Sequence, residues 1–139
     1  MQRVILLVIG AFVAAALGAV VGAYAVRPSR VVEAQEFRLV DAAGKPRASL
    51  SVVDGGPSLV LSDAAGELRA SLGVKDGRPS LMLFNVGGAM LANLSLVEGR
   101  PFLSLSDTAG MTRTCLAVDE KGPYLLLLDA AGQVVWKAP

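Results

Sequence analysis

The feature that most constrains this chain is a repeat of 22 residues, which runs through almost five copies without an insertion or a deletion. An acidic or amide residue opens each turn, and a glycine follows three positions later. The columns are Asp41, Asp63, Asn85, Asp107 and Asp129, then Gly44, Gly66, Gly88, Gly110 and Gly132. The unit reads approximately P-x-L-x-L-x-D-x-x-G-x-x-R-A-x-L-x-V-x-x-G-x. A fixed period of this length indicates an architecture built from one repeated supersecondary unit.

Within each unit the apolar residues recur at every second position, which is the period of a half-buried strand. Asp76-Gly77 suits a two-residue type I′ hairpin turn. Asp63 to Gly66 suits a four-residue loop, in which the aspartate caps the turn and the glycine takes a positive φ. The predicted turn-forming residues are Asp41, Gly44, Asp63, Gly66, Asp76, Gly77, Gly88, Asp107, Gly110, Asp129 and Gly132.

These loop lengths predict a strand register. The two-residue loop pairs Leu72 with Leu81, and the four-residue loop pairs Leu61 with Leu68, so every leucine stays on one face. The sequence therefore predicts an all-β repeat domain, an antiparallel hairpin meander of 22-residue units with two strands each. A β-solenoid with one rung per unit is the alternative. Because a single sheet does not leave a leucine face in water, we expect the sheet to close, to coil or to pack against other copies.

An uncharged run of 23 residues, Val4 to Val26, precedes the repeats. Its length predicts one transmembrane α-helix, and the sequence then divides into an anchor (1–26), a linker (27–36) and a β-repeat domain (37–139). A cleavable signal peptide ending at Ala23-Tyr24-Ala25 is the rival interpretation. A short basic start favours a signal anchor, hence a single-pass membrane protein with its C-terminal domain outside the cytoplasm, periplasmic or at the cell surface. The positive charges on the two sides of the apolar run are nearly balanced, so the positive-inside rule alone does not set this orientation.

Small residues recur every four positions along the apolar run and would form one face of a helix. Such faces allow close approach of two membrane helices, so we expect this one to contact another transmembrane helix. The alternative is that small residues are simply common in membrane helices. The predicted packing residues are Gly10, Ala14, Gly18 and Gly22.

Composition excludes several kinds of chemistry. Of the 13 basic residues only Arg3 precedes residue 27, which leaves 12 basic and 12 acidic residues in the remainder and gives no basic surface for nucleic acid. With no histidine and one cysteine, the chain has no Cys/His zinc cluster, no Ser-His-Asp triad and no internal disulfide. Identical residues on a regular lattice do not converge in a pocket. We therefore predict no enzymatic activity, no cofactor and no metal site.

The recurrent polar columns have structural interpretations. The aspartates are expected to cap their own turns, with a calcium ladder as the alternative. The arginine column is expected to form an exposed stripe that pairs loosely with Glu67 or with backbone, with an anionic ligand as the alternative. That column is Arg47, Arg69 and Arg113, and Leu91 interrupts it. Cys115 is expected to be a small half-buried residue.

These features predict a membrane-anchored structural or interaction module, an accessory subunit or scaffold that assembles through a repetitive β-sheet. Its partners would be the membrane and either its own copies, possibly a trimer, or a larger membrane complex. A β-barrel carrier of an apolar ligand is the alternative, but the uniform leucine pattern does not shape a pocket. The D-x-x-G turn, as in Asp63 to Gly66, resembles those of several bacterial β-repeat proteins, a likeness too general to imply a function. The predicted interaction patch is Phe84, Phe102, Tyr124, Leu126, Leu128 and Trp136.

Overall fold

The structure is a computed structural model that describes residues 31–138. The predicted membrane segment and its row of small residues lie outside the described residues. Within residues 31–138 there is no helix whose length and apolar character suffice to cross a bilayer. The chain divides into two units, Met1–Glu33 and Ala34–Pro139, and all the strands of the described residues lie in the second.

That second unit is one antiparallel sheet in which the strands lie side by side in sequence order. This is the predicted hairpin meander rather than a solenoid. Because β1 and β10 are the two outer strands, the sheet is open and does not form a barrel. The strands are β1 (Glu36–Val40), β2 (Pro46–Val53), β3 (Gly56–Ser62), β4 (Leu68–Lys75), β5 (Arg78–Phe84), β6 (Met90–Val97), β7 (Arg100–Ser106), β8 (Thr112–Asp119), β9 (Gly122–Leu128) and β10 (Val134–Ala138).

At one end of the sheet the strands are joined by two-residue loops. In the β4–β5 loop Asp76 has φ 51° and Gly77 has φ 74°, the two positive values that a type I′ turn requires. The register that follows pairs Leu72 with Leu81, as the loop length predicts. The β2–β3 and β6–β7 loops repeat this geometry.

At the other end the predicted register is wrong. Leu61 pairs with Ala70 instead of Leu68, and Leu68 pairs with Ser62, so the register shifts at Arg69. The connection from Asp63 to Glu67 is one residue longer than the predicted loop, and the β-bulge at Arg69 compensates for its odd length. The leucines of successive strands therefore still share a face, while Leu68 turns to the other one.

The leucine face is defined by three rows of residues that cross the sheet, paired continuously in the first two rows and as four separate pairs in the third. The first row is Leu50, Leu59, Leu72, Leu81, Leu94, Leu103, Leu116 and Leu125. The second is Ala48, Leu61, Ala70, Leu83, Ala92, Leu105, Thr114 and Leu127. The third is Val52, Pro57, Val74, Pro79, Leu96, Pro101, Val118 and Pro123. The opposite side, the second face, begins with serine and glycine and gains larger side chains towards β9.

The described chain has no second layer to cover the leucine face. Nine of its leucines remain between 39% and 51% exposed, and no side chain in residues 31–138 is fully buried. Ala117, on the second face, is the one hydrophobic residue of the described range that counts as buried. The hydrophobic surface that would form a core in a two-layer domain is thus on the outside of this sheet.

Candidate functional site

The aspartate turns are closed by their own side chains. Asp63 Oδ1 accepts hydrogen bonds from the N–H groups of Ala65 (2.8 Å) and Glu67 (3.0 Å). The Gly66 N–H donates to the Asp63 carbonyl at 3.1 Å, and Gly66 takes a φ of 90°. The same bonds recur at the other four turns of this kind, with Asn85 replacing aspartate in the third. A side-chain oxygen at this position satisfies backbone donors that the turn leaves unpaired.

The arginines connect neighbouring turns along this edge of the sheet. Arg69 donates from Nε (2.9 Å) and Nη2 (2.5 Å) to Asp63 Oδ2, and from Nη1 to the carbonyl of Asn85 in the next turn. Arg47 donates from Nη2 to Asp41 Oδ2 and from Nη1 to the Asp63 carbonyl of the next turn. Arg113 does so for the fourth and fifth turns, with an Nε to Asp107 Oδ2 distance of 2.8 Å. Of the two expected partners of the arginines, the backbone is confirmed, and Arg69 binds Asp63 rather than Glu67.

The third turn makes the same connection with different residues. Leu91 stands where the arginine would be, so an aspartate at position 85 would lack its partner. Asn85 keeps the turn by accepting from the N–H groups of Gly87 and Ala89, both at 2.9 Å. Its Nδ2 donates to the Thr108 carbonyl of the fourth turn at 2.8 Å. One amide therefore serves both as turn cap and as bridge, and all five turns are connected.

These contacts decide what the polar edge can do chemically. The Arg69 guanidinium lowers the pKa of Asp63, and Arg113 does the same for Asp107. The pKa of Asp41 is also lowered, first by the Lys45 N–H and then by Arg47. The carboxylates are thus occupied by backbone and guanidinium donors, which leaves little for a calcium ladder. Residues 31–138 contain no cluster of three or more carboxylate, cysteine or histidine side chains placed to hold a metal ion.

Two equivalent apolar grooves lie on the leucine face. The first is lined by Leu50, Pro57, Leu59, Leu72, Val74 and Pro79. The second is lined by Leu72, Pro79, Leu81, Leu94, Leu96 and Pro101, each the same position one repeat later. Since one repeat is two strands, the grooves are about 9.6 Å apart. The face is therefore a regular series of apolar depressions and not a single pocket.

The predicted interaction patch is divided between the two faces. Five of its residues, Phe84, Phe102, Tyr124, Leu126 and Leu128, are half-buried on the second face. Trp136 instead pairs with Leu127, which places it on the leucine face, where it is 49% exposed. The structure does not bring the six side chains together as one surface.

Cys115 lies between Ser104 and Leu126 on the second face, and burial raises the pKa of its thiol. It therefore lacks the electropositive surroundings of a reactive cysteine.

Comparison of the sequence with known protein families and with curated proteins gives no match. The features of the described residues that bear on function are therefore the leucine face and the connected turns.

Proposed function

We propose that this protein is a structural or interaction module that assembles through its leucine face. The observation that carries the proposal is that the described sheet is a single layer with nine leucines about half exposed. Exposed apolar surfaces of this extent on a regular element mark partner surfaces. The connected turns support the same proposal, because they hold the ten strands in one register and so keep the leucine face continuous.

The energetics support the same conclusion. Burying a leucine side chain completely contributes about 1.5–3 kcal/mol, so covering the exposed halves of nine contributes on the order of 10 kcal/mol. This is comparable with the total stability of a small domain. A partner on this face would therefore contribute as much to stability as the fold does by itself.

The apolar run Val4–Val26 completes the proposal as a membrane tether. We propose a single-pass anchor whose small-residue row, Gly10, Ala14, Gly18 and Gly22, contacts a second membrane helix, with the sheet outside the cytoplasm. In such an arrangement the anchor concentrates the sheets at one surface and favours their association.

A matched pair of variants tests the role of the leucine face. Leu94 and Val97 both lie on β6 and are 49% and 52% exposed, but they point to opposite faces. We expect Leu94→Arg to reduce the size of the assembly formed by the full-length chain, since it places a charge in the interface. Val97→Arg should leave that size unchanged. Sedimentation or native mass spectrometry of the detergent-solubilised protein measures the size of the assembly. Assemblies of equal size for the two variants would show that the leucine face is not the assembling surface.

A further inference from the structure

We propose that the occupant of the leucine face is a second copy of this chain, packed face to face as a two-layer β-sandwich. The inference rests on the proposed function, because it names the partner of that same surface. Four properties of the face carry it: its period, its pattern of large and small residues, its lack of charge and its area.

The spacing of the grooves limits which partner fits the leucine face. Depressions that recur every two strands, about 9.6 Å apart, need apolar projections with the same spacing. An α-helix repeats one face every seven residues, about 10.5 Å, and falls out of step by about 1 Å at each groove. A second copy of the sheet has the required spacing because its face is built on the same repeat of two strands.

The second row of the leucine face is complementary to itself. Large and small side chains alternate along it from strand to strand, as in Leu61, Ala70, Leu83, Ala92 and Leu105. When a second copy faces the first with an offset of one strand, its leucines lie opposite the alanines. Alternation of this kind lets the inner faces of two sheets interdigitate. In a two-fold dimer the same fit occurs twice.

No charged residue lies in the three rows of the leucine face. The charged side chains of the edge strands point to the second face, as Arg38 does opposite Ser49 and Lys137 opposite Leu126. Two identical faces therefore come together without like-charge repulsion and without burying an unpaired charge.

The area is sufficient for a stable dimer. Fourteen large apolar side chains of this face and its edges are 39% to 68% exposed, among them Phe37 and Trp136. Together they offer about 1,000 Å² of apolar surface, whereas a standard interface buries about 800 Å² on each partner. The twist of each sheet fits aligned packing, with the layers about 10 Å apart.

Cysteine cross-linking of the full-length chain tests the inference in the membranes of cells that produce it. In a Cys115→Ser background, Leu94→Cys and Leu81→Cys place a thiol near the middle of the leucine face, and Val97→Cys is the control on the second face. We expect a short bismaleimide to give covalent dimers with the first two and not with the control. Alkylation of Leu94→Cys by a bulky maleimide should be about tenfold slower than that of Val97→Cys.

The other outcomes overturn different statements. Protection of Leu94→Cys without covalent dimers shows that something other than a second copy covers the face, which refutes the inference and leaves the proposed function standing. Equal alkylation of Leu94→Cys and Val97→Cys without dimers refutes both. Dimers of all three variants in equal amount refute the assignment to this face.

Discussion

Replacing the asparagine and leucine of the third turn with the aspartate and arginine of the neighbouring turns tests the hydrogen bonds that connect the turns. In the Asn85→Asp variant, the amide that donates to the Thr108 carbonyl at 2.8 Å becomes a carboxylate, which has no hydrogen to donate. A hydrogen bond of this kind contributes about 1 kcal/mol, so the free energy of unfolding should fall by about that amount. Adding Leu91→Arg supplies a guanidinium six residues after the carboxylate, as Arg69 follows Asp63.

The double variant should recover most of the loss, although half-buried Leu91 contributes some packing that arginine does not replace. Leu91→Arg alone should destabilise the sheet, because its guanidinium has no carboxylate to bind. The expected coupling energy of the double-mutant cycle is about 1 kcal/mol in favour of the pair. In a domain of this size, that amount corresponds to a shift in melting temperature of about 4 °C.

Thermal unfolding of the four proteins, followed by circular dichroism on the full-length chain in detergent, measures the cycle. Protein concentration must be the same throughout, because assembly changes apparent stability. A double variant no more stable than Asn85→Asp would show that the guanidinium bridge does not transfer to the third turn. An unchanged melting temperature for Asn85→Asp would show that the amide bridge contributes nothing.

The remaining predictions concern the turns, the titration of the edge and the cysteine. Gly77→Ala should cost about 1 kcal/mol of unfolding free energy, since its φ is 74° while the space for a Cβ is open. Gly56→Ala should cost more in the same denaturation assay, about 1–3 kcal/mol, because its Cβ would lie 1.8 Å from the Val74 carbonyl oxygen. The three arginine-paired aspartates have pKa values below the ordinary 3.8, so their stabilisation is complete above that value and is lost as the pH falls through the lower folded-state pKa. Melting temperatures measured from pH 6 down to pH 2 should therefore drop below pH 4, and a flat profile would contradict the paired geometry. Because burial raises its pKa, the Cys115 thiol should react with iodoacetamide at pH 8 more slowly than a free cysteine does.

The sequence by itself determined the repeat, the strands, the meander and the sorting of leucines onto one face. Each of these depends on neighbours in the chain. Asp76 and Gly77 define a two-residue turn by their own backbone preferences, and the register of β4 with β5 follows from that turn. The alternation of residues within a strand then assigns every side chain to a face.

The tertiary structure decided the bulge at Arg69, the bridges between turns and the face on which Trp136 lies. The bulge compensates for the odd number of residues in the loop so that the two whole strands still pair, and no single residue type encodes it. Arg69 reaches the carbonyl of Asn85, which is 16 residues away in the chain and adjacent only across the sheet. Two signals for these bridges were present in the sequence: the constant spacing of six between aspartate and arginine, and their joint replacement by asparagine and leucine in the third unit. These signals can be interpreted only in the assembled sheet, because the hydrogen bond to which they correspond links one turn to the next.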